Sequence, residues 1–177
     1  MPPPSFSTGT QPRRGADTLP GTMPEQRRTR IRLPAPAYSE IGRVFSVTLS
    51  TSPRTPIFSD VTFGLECVEL LQELRDSFAN PVYAYCLLPD HVHLLLGVTT
   101  ASPLARFVGA WKSRCYQLRR HRGHSARFWQ RSFYDHGLRS DEDLNAAALY
   151  ILQNPVRARL VRDFHDYPLC GSLEFRL

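Results

Sequence analysis

No aspartate or glutamate stands between Asp90 and Asp135, and the 177 residues include a single lysine, Lys112. The acid-free stretch instead carries Arg106, Lys112, Arg114, Arg119, Arg120, Arg122, Arg127 and Arg131, with Trp111, Tyr116, Phe128 and Trp129 set among them. A bias toward arginine over lysine explains the missing lysines but not the missing acids. Cysteines are few as well. Cys67, Cys86, Cys115 and Cys170 form no C-x-x-C pair and lie in apolar contexts, which argues for reduced core thiols and a reducing cytoplasm. No apolar run is long enough to cross a bilayer, so no membrane role is expected. The charged-then-apolar layout of a secretory leader is also missing from the N-terminus, and no internal repeat is visible.

What is present is an ordinary globular composition, 42% hydrophobic, in a chain long enough for one domain with a real core plus a tail. The net charge of +6 and a pI near 9.5 favour a polyanionic partner. Guanidinium groups bind phosphates, and aromatic faces stack on unpaired bases. The eight cations of the acid-free stretch, with Trp129, are therefore the expected contacts to single-stranded nucleic acid.

Residues 1 to about 37 are rich in Pro, Ser, Thr, Gly and Arg and have no apolar period, so they read as a disordered basic arm. Arg27, Arg28, Arg30 and Arg32 could add contacts to a nucleic-acid backbone, though such tails are more often inert. The folded domain is expected over residues 38–177. Phe45, Val47 and Leu49 alternate with polar residues as in a half-buried strand. Asp60 is placed to cap a helix carrying Val61, Leu65, Val68, Leu71, Leu74 and Phe78 at steps of three and four, and Asn80-Pro81 ends it. Val82 to Leu87 and His91 to Val98 read as a hairpin around Leu88 to Asp90. Ser102-Pro103 opens a second helix with Pro at its first position, lined by Leu104, Phe107, Val108, Trp111, Cys115 and Leu118. Arg119 to Arg127 reads as a basic loop, Arg131 to Leu138 as a fourth strand, and Ser140-Asp141 as the start of a third helix ended by Pro155. This order is the α+β, ferredoxin-like βαββαβ pattern with an added C-terminal helix: an antiparallel sheet with helices on one face, and the other face available for a site. Such a fold hosts many functions, so function has to come from residues.

Two features carry chemistry. His91-Val92-His93 follows a Pro-Asp turn, and a strand repeats every two residues, so both imidazoles leave one face and suit one divalent metal. On the last helix, Leu144, Ala147, Ala148 and Ile151 form the apolar stripe, while Tyr150 and Asn154 lie about 40° apart on a line shared with Asp143. A tyrosine oxygen can attack phosphorus, and an amide oxygen can complete a metal site. From the residues alone the plainer reading stands ahead: Tyr150 packs at the core edge and Asn154 ends the helix.

The segment Tyr83 to Leu96, around Pro89-Asp90-His91-Val92-His93, resembles the HUH motif region of single-tyrosine transposases. The run from Phe128-Trp129-Gln130 through Phe133-Tyr134-Asp135-His136 to Tyr150-Ile151-Leu152-Gln153-Asn154-Pro155-Val156-Arg157-Ala158 resembles their REP-associated tyrosine transposase branch. The likeness covers roughly residues 38 to 168. It implies a metal-dependent single-strand DNA endonuclease and strand transferase acting on hairpin-forming repeats through a covalent 5′-phosphotyrosine. It implies Tyr150 as nucleophile and His91 and His93 as ligands of Mg2+ or Mn2+. The third ligand falls on Asn154, with Gln153 adjacent. It also implies a monomer whose site lies within one chain. Arg159 stands where the family usually has Gly, and the segment from Tyr167 to Ser172 is a loose match. Tyr134 and Tyr116 are rival nucleophiles without a polar partner at helical spacing. The main alternative is a catalytically silent DNA-hairpin-binding descendant. A ferredoxin-like RNA-binding module would want aromatics where the central strand has histidines, and a two-histidine-motif phosphoesterase would need a second His-x-Ser/Thr.

Overall fold

The protein is described here from a computed structural model that covers residues 35–100, 102–139 and 143–175. Five antiparallel strands lie in the order β4-β1-β3-β2-β5: β1 (Val44–Ser50), β2 (Val82–Leu88), β3 (His91–Gly97), β4 (Tyr134–Gly137) and β5 (Cys170–Gly171). Alternation builds the first of them. Phe45, Val47 and Leu49 are fully buried on one face, and Ser46 and Thr48 point to the other. Pro89 and Asp90 form the tight connection between β2 and β3, as expected, and β3 becomes the centre of the sheet.

Helices α1 (Val61–Phe78) and α2 (Leu104–His121) cover the face bearing Phe45, Val47, Leu49, Val92 and Leu94. Asp60 caps α1 by accepting from the Phe63 amide at 3.0 Å. The inward stripe of α1 differs from the expected one. Phe63, Gly64, Cys67, Leu71 and Leu74 are buried, while Val61 and Leu65 are exposed. Phe63 takes the core position, where the Phe58 ring just upstream stacks on it and Phe128, from a distant segment, meets it edge-on. Gly64 is required by close approach, since a Cβ there would lie 2.5 Å from a Leu169 methyl. On α2 the expected stripe is buried, with Leu118 at its partly covered end. Pro103 is the N-cap rather than the first helical residue, and the helix continues to His121, so the basic loop is shorter than expected.

The opposite face carries Ala84, Cys86, Leu88 and Leu95, packed under Ala148, Ile151 and Leu152 of α3 (Leu144–Leu152). A bulge between Val82 and Ala84 shifts the register, so Val82 serves the α1–α2 layer while Ala84 serves the α3 layer. Helix α3 is capped by Asp143, whose side chain accepts from the Asn145 amide at 2.8 Å. The expected start at Ser140-Asp141 lies outside the described residues, as do residues 1–34 of the expected N-terminal arm. Pro155 does not simply end the helix. The chain breaks at Gln153 and starts a single further turn, α4 (Asn154–Arg157), with the proline in its first turn. Strand β5, which pairs Cys170 with Cys86, had no signature in the sequence pattern.

Candidate active site

Strand parity sets the site. Val92, Leu94 and Leu96 are buried in the α1–α2 layer, so His91 and His93 emerge on the α3 side. Both are half-buried, with ring centroids 5.0 Å apart and planes at 83°. His91 Nδ1 lies 2.6 Å from Asp90 Oδ1, and His93 Nδ1 lies 3.1 Å from Thr48 Oγ1, its cross-strand partner on β1. Burial acts to raise the Asp90 carboxyl, but the hydrogen bond to His91 and the Arg54 guanidinium at 3.4 Å outweigh it and hold the group below the ordinary carboxylate range.

A cavity of about 530 Å³ opens between α3, β1 and β4. Its polar lining includes His93, Thr48, Tyr134, His136, Asp143 and Tyr150. The cross-strand register runs Tyr134–Thr48–His93, with His136 opposite Ser46 beside it. Tyr150 is 62% exposed at the cavity wall, one helical face away from buried Ile151. Asp143 and Tyr150, expected on one helix line, both line this space. His93 and Tyr150 are thus brought to one cavity, whereas His91 and Asn154 are not part of its lining. Tyr134, expected only as a rival nucleophile, lines the same cavity, and His136 carried no expected role. Only the pairing of β4 with β1 places them, and no local pattern announces that.

The end of α3 accounts for its last carbonyls one by one. Gln153 N–H donates to the Leu149 oxygen at 2.9 Å, and Cys170 Sγ to Leu152 at 3.4 Å. Pro155 has no N–H to offer Ile151, and the Asn154 side-chain Nδ2 donates to that oxygen instead at 2.9 Å. Arg157 Nη2 donates to the Tyr150 oxygen at 2.6 Å and to Asn154 Oδ1 at 2.7 Å. Its guanidinium lies 3.9 Å from the Tyr150 ring centroid. Arg157 belongs to the Asn-Pro motif but received no role from the sequence.

Among the described residues no group of three or more His, Cys, Asp and Glu side chains is placed to hold a metal. The histidine pair itself fits one. A ligating imidazole commonly has its second nitrogen fixed by a carboxylate, hydroxyl or carbonyl, and Asp90 and Thr48 do this for His91 and His93. The third donor would be an amide or water, and Asn154 Oδ1 currently accepts from Arg157.

The expected nucleic-acid contacts divide. Arg114 pairs with Glu73 at 3.0 Å, and Arg122 with Asp60 and Glu66. Arg106 stacks on Phe78, and Arg119 on Phe128. Lys112 donates to the Gln130 carbonyl at 2.7 Å, and its burial pulls the ammonium pKa down. Trp129 packs against Phe58, Trp111 and Phe128, and its indole N–H donates to the Lys112 carbonyl. It packs at the core edge and stays partly exposed. Arg120, Arg127 and Arg131 are exposed and make no ion pair or ring contact with the other described residues. Helix α2 lies behind the sheet from Tyr150, but residues 127–131 run to the histidine end. Trp129 bridges Thr51, and Gln130 N–H donates to Ser50, the register partner of His91.

Residues 44–154 match the family described as IS200-like transposases. A Haemophilus influenzae protein provisionally named a REP-associated tyrosine transposase is 32% identical over 96 residues, 48% of this chain and 54% of the relative. The match thus spans about half the length of that relative. A solved REP-associated tyrosine transposase bound to a REP hairpin superposes with a TM-score of 0.63 at 18% identity, over 75% of this chain and 78% of that one, a likeness of fold. A crystal structure of a provisionally assigned Deinococcus radiodurans transposase covers 65% of this chain and 92% of its own, with a TM-score of 0.44 and 22% identity.

Proposed function

The chain belongs to the IS200-like transposase family, and on that premise we propose that it nicks and rejoins single-stranded DNA at hairpin-forming repeats, with Tyr150 as nucleophile. The observation that carries this is the meeting of His93 and Tyr150 at one cavity, from a strand and a helix far apart in sequence. The phenolic oxygen of Tyr150 attacks phosphorus, the bond from phosphorus to the 3′-oxygen breaks, and that oxygen leaves as a 3′-hydroxyl. The product is a 5′-phosphotyrosine ester, which retains the energy of the broken phosphodiester, so a 3′-hydroxyl can reverse the step and join strands. A Mg2+ or Mn2+ ion held by His91 and His93, with Asn154 or Gln153 as third donor, would polarise the scissile phosphate. Asp90 and Thr48 bond one nitrogen of each imidazole, which would leave the other nitrogen for the ion.

The DNA path follows the exposed arginines that pair with no acid among the described residues. Arg120, Arg127 and Arg131 lead from the back of the sheet to its histidine end, and backbone contacts of this kind supply affinity while the site supplies chemistry. The solved neighbour bound to a REP hairpin supports hairpin ends as the substrate class. The test is a denaturing gel on labelled hairpins with single-stranded flanks. A labelled band at the protein's mass in magnesium, absent with chelator, supports the proposal. Tight hairpin binding with no such band leaves a DNA-binding protein and overturns the enzymatic reading.

A further inference from the structure

Arg157 touches the two side chains that the proposed chemistry depends on. Its guanidinium lies face-on to the Tyr150 ring at 3.9 Å, while one of its nitrogens bonds both the Tyr150 carbonyl and Asn154 Oδ1. Tyr150 is 62% exposed even with Arg157 against it, on a helix whose neighbouring Leu149 is also 52% exposed. A tyrosine so placed has rotamer freedom that must be lost before its oxygen can attack, and each side chain fixed in this way is an entropic barrier to reaction. Seven residues separate the two, close to two full helical turns, so across the interruption at Gln153 Arg157 still lies on the Tyr150 side and reaches back over the last turn of α3.

We propose that Arg157 is the positioning residue for the Tyr150 nucleophile, and that it ties the ring to the candidate third ligand Asn154. This rests on Tyr150 being the nucleophile. Stacking fixes the ring plane, and the carbonyl bond fixes the backbone that carries it. A planar fork is needed to do both at once, which an ammonium cannot reproduce. The hold on Asn154 Oδ1 makes the two halves of the site move together, because releasing Asn154 toward a metal loosens one of the bonds that orient Arg157 over the ring.

Two readouts on the full chain test this. The first needs no turnover: NMR of protein labelled with ring-¹³C tyrosine, the Tyr150 signal being assigned by its loss in Tyr150→Phe. In Arg157→Gln and Arg157→Lys that signal should move toward the position of an exposed tyrosine. The second is single-turnover adduct formation at saturating DNA. Its rate should fall at least tenfold in Arg157→Gln, with half-saturation by DNA within twofold of wild type. Arg157→Lys should stay within threefold of the Gln variant. An unmoved ring signal overturns the positioning role alone. A wild-type rate in Arg157→Gln, or full recovery with Lys, overturns it too, since charge and not geometry would then be at work. If wild-type protein forms no adduct, the nucleophile assignment fails and this role falls with it, whatever the ring signal shows.

Discussion

Asp90→Asn should weaken divalent-metal binding about tenfold while leaving the fold in place. Asp90 Oδ1 sits 2.6 Å from His91 Nδ1, and the two side chains are 28% and 23% exposed, partly shielded from water. Carboxylates that orient a ligating imidazole are typically worth ~10–100-fold in metal affinity. Asn keeps an acceptor oxygen and the pair is not fully buried, so the low end applies, about tenfold or ~1.4 kcal/mol. Manganese titration followed by electron paramagnetic resonance near neutral pH measures this directly, with His91→Ala as the reference for a ligand fully lost. The same residue has a signature in the metal-free protein. Its folded carboxyl titrates below the ordinary value near about 4, so its contribution is complete above that range and fades as the pH falls through the lowered value. Asp90→Asn should therefore lose less stability than wild type on acidification below about pH 4. A variant that binds manganese within twofold of wild type would show that the His91–Asp90 pair does not support a metal.

Changing Arg120, Arg127 and Arg131 together to Gln should make the log–log salt dependence of single-strand binding shallower by about 2, at roughly 0.7 per phosphate, in a filter-binding salt series. Changing Arg114 and Arg122, already ion-paired, should alter it less; equal effects would place the DNA on the back of α2. Gly64→Ala should lower stability by about 1–3 kcal/mol in urea denaturation, because the added methyl meets a fully buried Leu169 side chain; an unchanged midpoint would mean that Leu169 moves aside freely. Burial pushes the Tyr167 phenol up to about 12 while its hydroxyl donates to the Leu87 carbonyl. The folded state thus keeps a proton that the unfolded chain loses near about 10, so stability is complete below that pH and declines through about 12, by no more than about 2 kcal/mol. Tyr167→Phe should flatten that alkaline decline in chemical denaturation at stepped pH.

Much of the fold was legible because local pattern and tertiary need agree there. The alternation of Phe45, Val47 and Leu49, the Asp60 cap and the Pro-Asp turn each state a local preference that burial then rewards. The parity of His91 and His93 was readable for the same reason. What escaped was set by contacts between distant segments. Phe63 rather than Val61 or Leu65 faces inward, where Phe58 stacks on it and Phe128, from a distant segment, meets it edge-on. Trp129 packs against Phe58 and Trp111, contacts that its place in the basic stretch does not announce. Tyr134 and His136 reach the cavity only through the edge pairing of β4. Arg157 lies beyond Pro155, and a helix read as ending at that proline gives it no place beside the Tyr150 ring.

The central claim is that Tyr150 forms the covalent bond to DNA, and peptide mapping of the adduct tests it most directly. Trypsin separates the three candidate tyrosines: Tyr150 falls in the peptide 140–157, Tyr134 in 132–139 and Tyr116 in 115–119, each with no second tyrosine. Mass spectrometry of the nuclease-trimmed adduct should find the added 5′-nucleotide phosphate on the 140–157 peptide, and Tyr150→Phe should abolish it while the DNA still binds. The phosphate on either of the other peptides, or an adduct surviving in Tyr150→Phe, would contradict the account.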